Sequence, residues 1–370
     1  MLIEGQETDA SNKVLSRLLA LAEEEARRLD RRPVLMEVCG THTMAIAKSG
    51  IKSLLAGSLD LRSGPGCPVC VTDQQDIDKI IAMAGQPGVV IATFGDMLRV
   101  PGTKTSLEVE RARGARVEIF YSPMDAVAFA ARYPQKEVIF LGVGFETTTP
   151  GIALSIAAAK KQGIENYSVF SVHKLVPPVM RVLLSDPDLH IDGLLLPGHV
   201  CTITGRKAFD FVAAEYKVPA VVAGFEPVEI LQAIYILLKQ TNAGLSRTIN
   251  GYASLVREEG NRKAKEIMAE IFEPADTAWR GFGVVPQSGL AIRKSYAAFD
   301  ASVRFPVQVP ESLPPKGCAC GEVLKGKITA ADCKLFARAC TPLSPVGPCM
   351  VSSEGACAAY YQYERTEVNV

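Results

Sequence analysis

The sequence predicts an α/β protein: two parallel-sheet αβα units facing a central crevice, followed by a helical, cysteine-rich C-terminal domain. Three observations carry this. Short apolar runs rich in β-branched residues, at 34–38, 89–94, 117–121, 138–143, 167–172, 194–196 and 220–223, alternate with stretches of helical period at 76–84, 152–161 and 208–216. That alternation is the signature of a mostly parallel sheet covered by helices. The rhythm occurs twice, with a seam near 121–123, which divides the chain into units at 1–118 and 119–230; no residue-level repeat accompanies it. After Phe225 the composition changes, giving helices over 228–240 and 257–272, an extended Pro-rich connector at 307–316, and six of the ten cysteines at 318–357, so that 231–370 forms the third domain. Ahead of the first strand, Val14, Leu15, Leu18, Leu19, Leu21 and Ala22 make one apolar stripe and predict a helix over 11–32.

Composition excludes several classes. Lys+Arg 40 balance Asp+Glu 40 at a pI near 6.9, which argues against nucleic acid as the main partner, since counterion release needs a basic face. No apolar run approaches the roughly 18 residues of a membrane span, and the charged first 30 residues do not form a signal peptide. The expectation is a soluble cytoplasmic protein. A chain of 370 residues can bury a core without disulfides. Clustered cysteines in a reducing compartment then point to metal or redox chemistry.

In open parallel sheets, ligands bind beyond the carboxyl ends of the strands. Those ends carry Cys39-Gly40-Thr41-His42-Thr43, Gly64-Pro65-Gly66-Cys67-Pro68-Val69-Cys70, Gly95-Asp96, Gly144-Phe145-Glu146, His173, Pro197-Gly198-His199-Val200-Cys201 and Gly224-Phe225-Glu226. Cys67 and Cys70 precede Thr72-Asp73-Gln74-Gln75, whose capping-box spacing predicts a helix start at Thr72. A thiol ahead of a helix N-terminus is favoured as thiolate. The pair suits redox or metal chemistry, or half of a structural zinc site. Cys39, with His42 three residues on, suits iron, copper or zinc, a nucleophile with its base, or plain burial. The stretch 142–150 lacks the ending of a P-loop. With Thr149 as N-cap and Pro150 at the first helical position, Glu146 is left as an acid, base or hydrogen-bond acceptor. His199 reads as functional, His173 as either functional or core, His190 as surface, and Cys201 as a packed small side chain.

The tail runs Cys318, Cys320, Cys333, Cys340, Cys349, Cys357, with no histidine beyond His199. Paired zinc knuckles are absent from it. Six cysteines in so short a stretch signal metal or disulfide chemistry; four thiolates at irregular spacing can enclose a [4Fe–4S] cluster, the expectation for an iron–sulfur domain, and that would leave two thiols over as a redox pair. Spacing alone does not say which four.

Together, Cys39-Gly40-Thr41-His42-Thr43, the stretch 64–70, Gly144-Phe145-Glu146-Thr147-Thr148-Thr149-Pro150, Leu196-Pro197-Gly198-His199-Val200 and the tail through Gly347-Pro348-Cys349 to Cys357 resemble the HypD family of [NiFe]-hydrogenase maturation proteins, over 37–361. The tail departs from the family pattern at Ala337, where glycine is expected, and at Leu343, where an acidic residue is expected; neither change touches a cysteine. The resemblance implies a scaffold for assembling and carrying the Fe(CN)2CO group. It implies a complex with the chaperone HypC, cyanide delivered by HypE, and the hydrogenase large subunit as eventual recipient. By the same resemblance, Cys39 is the iron-site thiolate and Cys67/Cys70 a redox-active pair. A tail like that of ferredoxin:thioredoxin reductase assigns Cys318, Cys333, Cys340 and Cys357 to the cluster and Cys320/Cys349 to a relay. His42, Glu146 and His199 would hydrogen-bond the diatomic ligands or move protons. Such a protein is a redox-active assembly scaffold rather than a conventional turnover enzyme. Two other classes use the same residues: an iron–sulfur-dependent thiol–disulfide oxidoreductase, which gives Cys39 no role, and a zinc-stabilised binding module.

Overall fold

The computed structural model describes residues 2–364, with side chains from Leu15 onward. Strands β1 (Val34–Glu37), β2 (Asp60–Ser63), β3 (Val89–Thr93), β4 (Arg116–Ile119), β5 (Glu137–Gly142), β6 (Tyr167–Ser171), β7 (Gly193–Pro197), β8 (Ala220–Ala223) and β9 (Thr248–Asn250) form two parallel sheets. The first has the order β2-β1-β7-β8-β9 and the second β4-β3-β5-β6. Each strand is followed by helical turns that return the chain to the start of the next, as parallel pairing requires.

Side chains alternate across these strands and so sort into separate cores. Leu35 and Leu195 face the helix Leu2–Leu29 and the helix Pro227–Asn242 on the outside of the first sheet. Met36, Leu194 and Leu196 face inward and share one core with Ile139 and Leu141 of the second sheet. Val138 and Phe140 point to the second sheet's outer layer, against Ile152 and Ile156 of the helix Thr149–Gln162. Burying a side chain of that size stabilises the fold by about 2 kcal/mol, so the shared layer binds the sheets firmly together.

Several expectations need correcting. The sheets do not follow the division at 118/119: β1 and β2 share a sheet with β7, β8 and β9, joined through the β1–β7 pairing, while β3 to β6 form the other sheet. The chain leaves the first sheet after β2, completes the second, and returns. The region after 230 is not purely helical. It holds β9 and a long antiparallel hairpin, β10 (Phe272–Trp279) and β11 (Gly283–Ile292), and the expected helix over 257–272 is confined to Arg262–Ile271. The helix after Cys70 starts at Gln74, not Thr72, because Asp73 supplies the cap by accepting from the Gln75 N–H at 2.9 Å. Thr148 rather than Thr149 precedes the helix that carries Pro150. The N-terminal helix spans Leu2–Leu29; Val14 of the expected stripe lies outside the described side chains. The connector at 307–316 has no regular structure, as expected. Among the described residues, no helix is long and apolar enough to cross a membrane.

Candidate functional site

Four adjacent strands of the first sheet, β2, β1, β7 and β8, run parallel, so the residues after them gather at one edge. Cys39 is the N-cap of the helix Gly40–Lys48. The loop before Cys67 packs directly on it: the Gly40 N–H donates to the Gly66 carbonyl at 2.9 Å, and a Cβ on Gly66 would lie 2.3 Å from the Cys39 nitrogen. Only glycine allows that approach. Cys67 and Cys70 form a disulfide across the single turn Pro68–Val71, and Cys67 itself caps that turn. Two of the expected site elements thus meet.

Cys39 is buried, and burial pushes its thiol up to about 12; the carboxylates of Glu354 and Glu37 add to this, while the backbone N–H groups of His42 and Thr41 oppose it. The group is a thiol at neutral pH until a metal displaces its proton. Behind it, Glu37 accepts from the Cys39 N–H at 2.9 Å and from the Thr43 hydroxyl. Burial raises that carboxyl to about 7.

His42 is fully buried and burial lowers it to about 4, so its ring is neutral. Its Nε2 lies 2.9 Å from the Gly224 carbonyl, which can only accept. The proton therefore sits on Nε2, and Nδ1 is a buried lone pair without a partner. The Phe225 ring is stacked between the His42 imidazole (centroids 4.5 Å apart) and the His199 imidazole (3.8 Å). His199 is exposed, and desolvation lowers it against the opposing charge of Glu354.

The second sheet contributes Glu146. Its Oε1 accepts from the Val176 N–H at 3.0 Å, its Oε2 is buried without a partner, and burial lifts it to about 7. Cys201 lies within reach of both centres: burial, with Glu146 and Cys39 adding, holds its thiol well above the ordinary value. His173 is not brought to this edge; it packs edge-on against Phe272 and hydrogen-bonds Ser171. His190 is exposed.

The tail closes over the same edge. Thr41 donates to Glu354 at 2.7 Å, Ser352 donates to Asp96 at 2.9 Å, and Cys70 Sγ lies 4.0 Å from the Pro348 carbonyl. All six tail cysteines line one small cavity of about 10 Å³. Within it, Cys320 and Cys349 Sγ are 2.7 Å apart. Hydrogen bonds from Cys318 and Cys349, with the Arg280 guanidinium adding, pull the Cys320 thiol down, whereas Cys318 and Cys349 rise. Among the described residues, no three His, Cys, Asp or Glu side chains are arranged around one metal ion. Glu354, Glu37 and Phe225 were not singled out by sequence reasoning. Phe225 and Glu354 stood inside quoted motifs, yet nothing local gave either a role.

The whole chain can be compared with known proteins. The profile of the HypD family, described as "Hydrogenase formation hypA family", matches residues 13–364. The chain belongs to the HypD family. It is 43% identical over 355 residues to the hydrogenase maturation factor HypD of Rhodobacter capsulatus, covering 95% of this chain and 94% of that protein. It is 45% identical to the Azotobacter vinelandii factor over 338 residues (90% and 89% covered) and 43% identical to the Escherichia coli factor over 338 residues (91% of each).

Proposed function

We propose that this protein is a hydrogenase maturation factor that serves as a redox-active scaffold, on which the Fe(CN)2CO group of [NiFe]-hydrogenase is assembled and carried. It works in complex with HypC and receives cyanide from HypE. The observation that carries the reading is the juxtaposition of Cys39 with the Cys67–Cys70 disulfide through Gly66, under a tail that holds six thiols in one cavity.

The iron is cargo, and Cys39 is the thiolate this chain offers it. One protein ligand suits a centre completed by diatomic ligands and a partner's side chain, so a three-residue cage is not required. The neutral His42, with Nδ1 bare, can accept a proton or a hydrogen bond beside Cys39. Glu146, poised near neutral pH, can hold a proton on the other side, and His199 is exposed to solvent at the mouth.

The tail fits a [4Fe–4S] cluster held by Cys318, Cys333, Cys340 and Cys357. Its cavity is lined by six thiols with no carboxylate or imidazole, and a Cβ on Gly347 would lie 2.8 Å from Cys318 Sγ, so the wall is kept clear where that ligand stands. Each of the four thiolates would serve a different iron, so the ligand set of a single ion is not required of them. Bound there, the cluster would supply electrons one at a time. Cys320 and Cys349, already in contact, act as a dithiol that exchanges with Cys67–Cys70. One S–S bond breaks and another forms, and two protons and two electrons pass to the Cys67/Cys70 pair.

Iron and sulfide analysis with infrared spectroscopy, on protein purified with its partner, tests the reading. Bands of bound CN and CO that vanish in Cys39→Ala are expected. A cluster without such bands favours the oxidoreductase, and zinc without visible absorption favours the binding module.

A further inference from the structure

The chain as a whole balances its charges, but the wall of the tail cavity does not. Cys333, Leu335, Phe336 and Cys340 line that cavity. Lys334 and Arg338, interleaved with them, are exposed. No aspartate or glutamate occurs from Cys333 to Ser353. The wall is one tight turn: the Arg338 and Cys340 N–H groups both donate to the Leu335 carbonyl, at 3.2 and 2.9 Å. Exposed Lys316 joins it from the connector, because a Cβ on the neighbouring Gly317 would lie 3.6 Å from the Leu335 side chain. The turn around Leu335 therefore presents thiols to the cavity and gathers three cations on its solvent side.

The carboxylates nearby are already engaged. Glu322 pairs with Lys325 at 3.4 Å, and Asp332 accepts from the Thr329 N–H at 2.8 Å and from its hydroxyl at 2.7 Å. Asp186 and Asp188 hold Lys327 at 2.8 and 3.2 Å. Arg99, whose side chain donates to the Pro342 carbonyl, lies 4.0 Å from Glu108. Among the described residues, the side chains of Lys316, Lys334 and Arg338 have no ion pair or hydrogen-bond partner. Of the described free cysteines only Cys318, two residues after Lys316, is not buried, so the cavity comes nearest to solvent beside these cations.

We propose that the exposed face made by Lys316, Lys334 and Arg338 is the docking surface of an acidic one-electron carrier protein, which reduces the tail cluster through the wall beside Cys318. This rests on the reading that the tail holds the cluster. Reducing Cys67–Cys70 takes two electrons, and the chain's own thiols cannot supply them repeatedly, because each exchange leaves a disulfide behind. An outside reductant is required, and a cluster accepts electrons singly. The carrier loses one electron at each encounter, with none of its bonds made or broken. Two encounters and two protons from solvent restore one dithiol. Unpaired charge on an exposed rim suits such traffic, since it speeds encounter and leaves the complex weak enough to part.

Flavodoxin, an acidic one-electron carrier, is the probe. Oxidised flavodoxin is titrated into the full-length, cluster-loaded chain by calorimetry, and reduced flavodoxin is mixed with it in an anaerobic stopped-flow. Affinity and second-order rate constant should both be highest at low salt and fall about tenfold by about 0.3 M ionic strength. Joint replacement of Lys316→Glu, Lys334→Glu and Arg338→Glu should weaken binding about tenfold at low salt and match the parent chain at high salt. The same change of net charge where β4 and β5 begin, Arg111→Glu with Arg116→Glu and Lys136→Glu, should stay within about twofold of the parent chain. Salt-independent binding to the parent chain would overturn the inference even if the first variant folded poorly. So would parental binding in that variant, an equal loss in the second, or binding that passes no electron to a loaded cluster. If the chain takes up no iron or sulfide, the cluster reading fails and takes the carrier with it; a loaded chain that does not bind flavodoxin ends this inference alone.

Discussion

Cys39 and the Cys67–Cys70 pair stand immediately after β1 and β2, whose parallel register from Val34↔Asp60 to Glu37↔Ser63 fixes where both loops begin. The six tail thiols have no such frame. The longest regular element among them is the helix Ala356–Tyr363, and the rest is short turns around a cavity. The sheet edge is thus positioned by backbone hydrogen bonds and a shared apolar core. The tail is tied to that edge by a few straps, such as Thr41 to Glu354 and Arg62 to the Gly326 carbonyl at 2.9 Å, and on the proposed reading a bound cluster would organise the rest. On that reading a rigid edge would keep an iron ligand in place, and a tail organised around a cofactor would couple its structure to its redox load.

The largest expected effect separates the two regions directly. With the proposed cluster in the tail, stripping metal with a chelator should open the segment 318–357 to protease while the sheets keep their protection, because ligand binding and folding would be one process there. Equal loss in both regions would erase the distinction. At the sheet edge, Gly66→Ala drives a methyl group into the Cys39 backbone and should cost about 3 kcal/mol in chemical denaturation, with the tail's visible absorption retained. A neutral effect would show that the edge gives way easily.

Proton linkage gives a third contrast. Glu146 is raised to about 7 in the folded state, so the native protein binds more protons than the unfolded chain between about 4.5 and 7, and stability is lost as pH rises through that window. His42, lowered to about 4, acts oppositely: stability is lost as pH falls from about 6.5 towards 4. Glu146→Gln should therefore stabilise the sheets at pH 8 by up to about 3 kcal/mol relative to pH 4. Urea titrations at the two pH values check it, and an unchanged pH profile would contradict it. Glu37, raised by the same cause, keeps part of the slope in that variant.

The smallest effect lies in the tail. Ala337 adopts φ of +56°, the left-handed region, in the turn that closes when its N–H donates to the Cys340 carbonyl at 3.1 Å. This is the position where the family pattern calls for glycine. Ala337→Gly should stabilise the cluster-loaded tail by about 1 kcal/mol, read as slower hydrogen exchange there and no change in the sheets. Leu343, the other departure, is 93% exposed and nothing in the structure explains it.

Much of the sheet edge was legible because parallel strands place their ends together, so Cys39, Cys67, Cys70, His42, His199 and Glu146 declared themselves by following apolar runs. Strand order was not legible: β1 pairs with β7, which no local period encodes. The hairpin was hidden because β10 follows a charged helix without a loop and carries Pro274, although Gly281 and Gly283, both left-handed, marked its turn. Glu354 beside Thr41 joins residues 313 positions apart, and Arg280 reaches Gln74 across 206. Contacts of that range leave no trace in spacing. The contact between Cys320 and Cys349 was likewise expected from the family resemblance, not from the residues alone.

Disulfide trapping asks whether the edge and the tail share chemistry. The double variant Cys67→Ser, Cys320→Ser leaves Cys70 and Cys349 without their partners, and Cys349 follows the proline whose carbonyl touches Cys70. Mild oxidation followed by peptide mapping should find a Cys70–Cys349 bond within one chain. Two free thiols, under conditions that still close Cys320–Cys349 in the single Cys67→Ser variant, would contradict the transfer of electrons between the two regions.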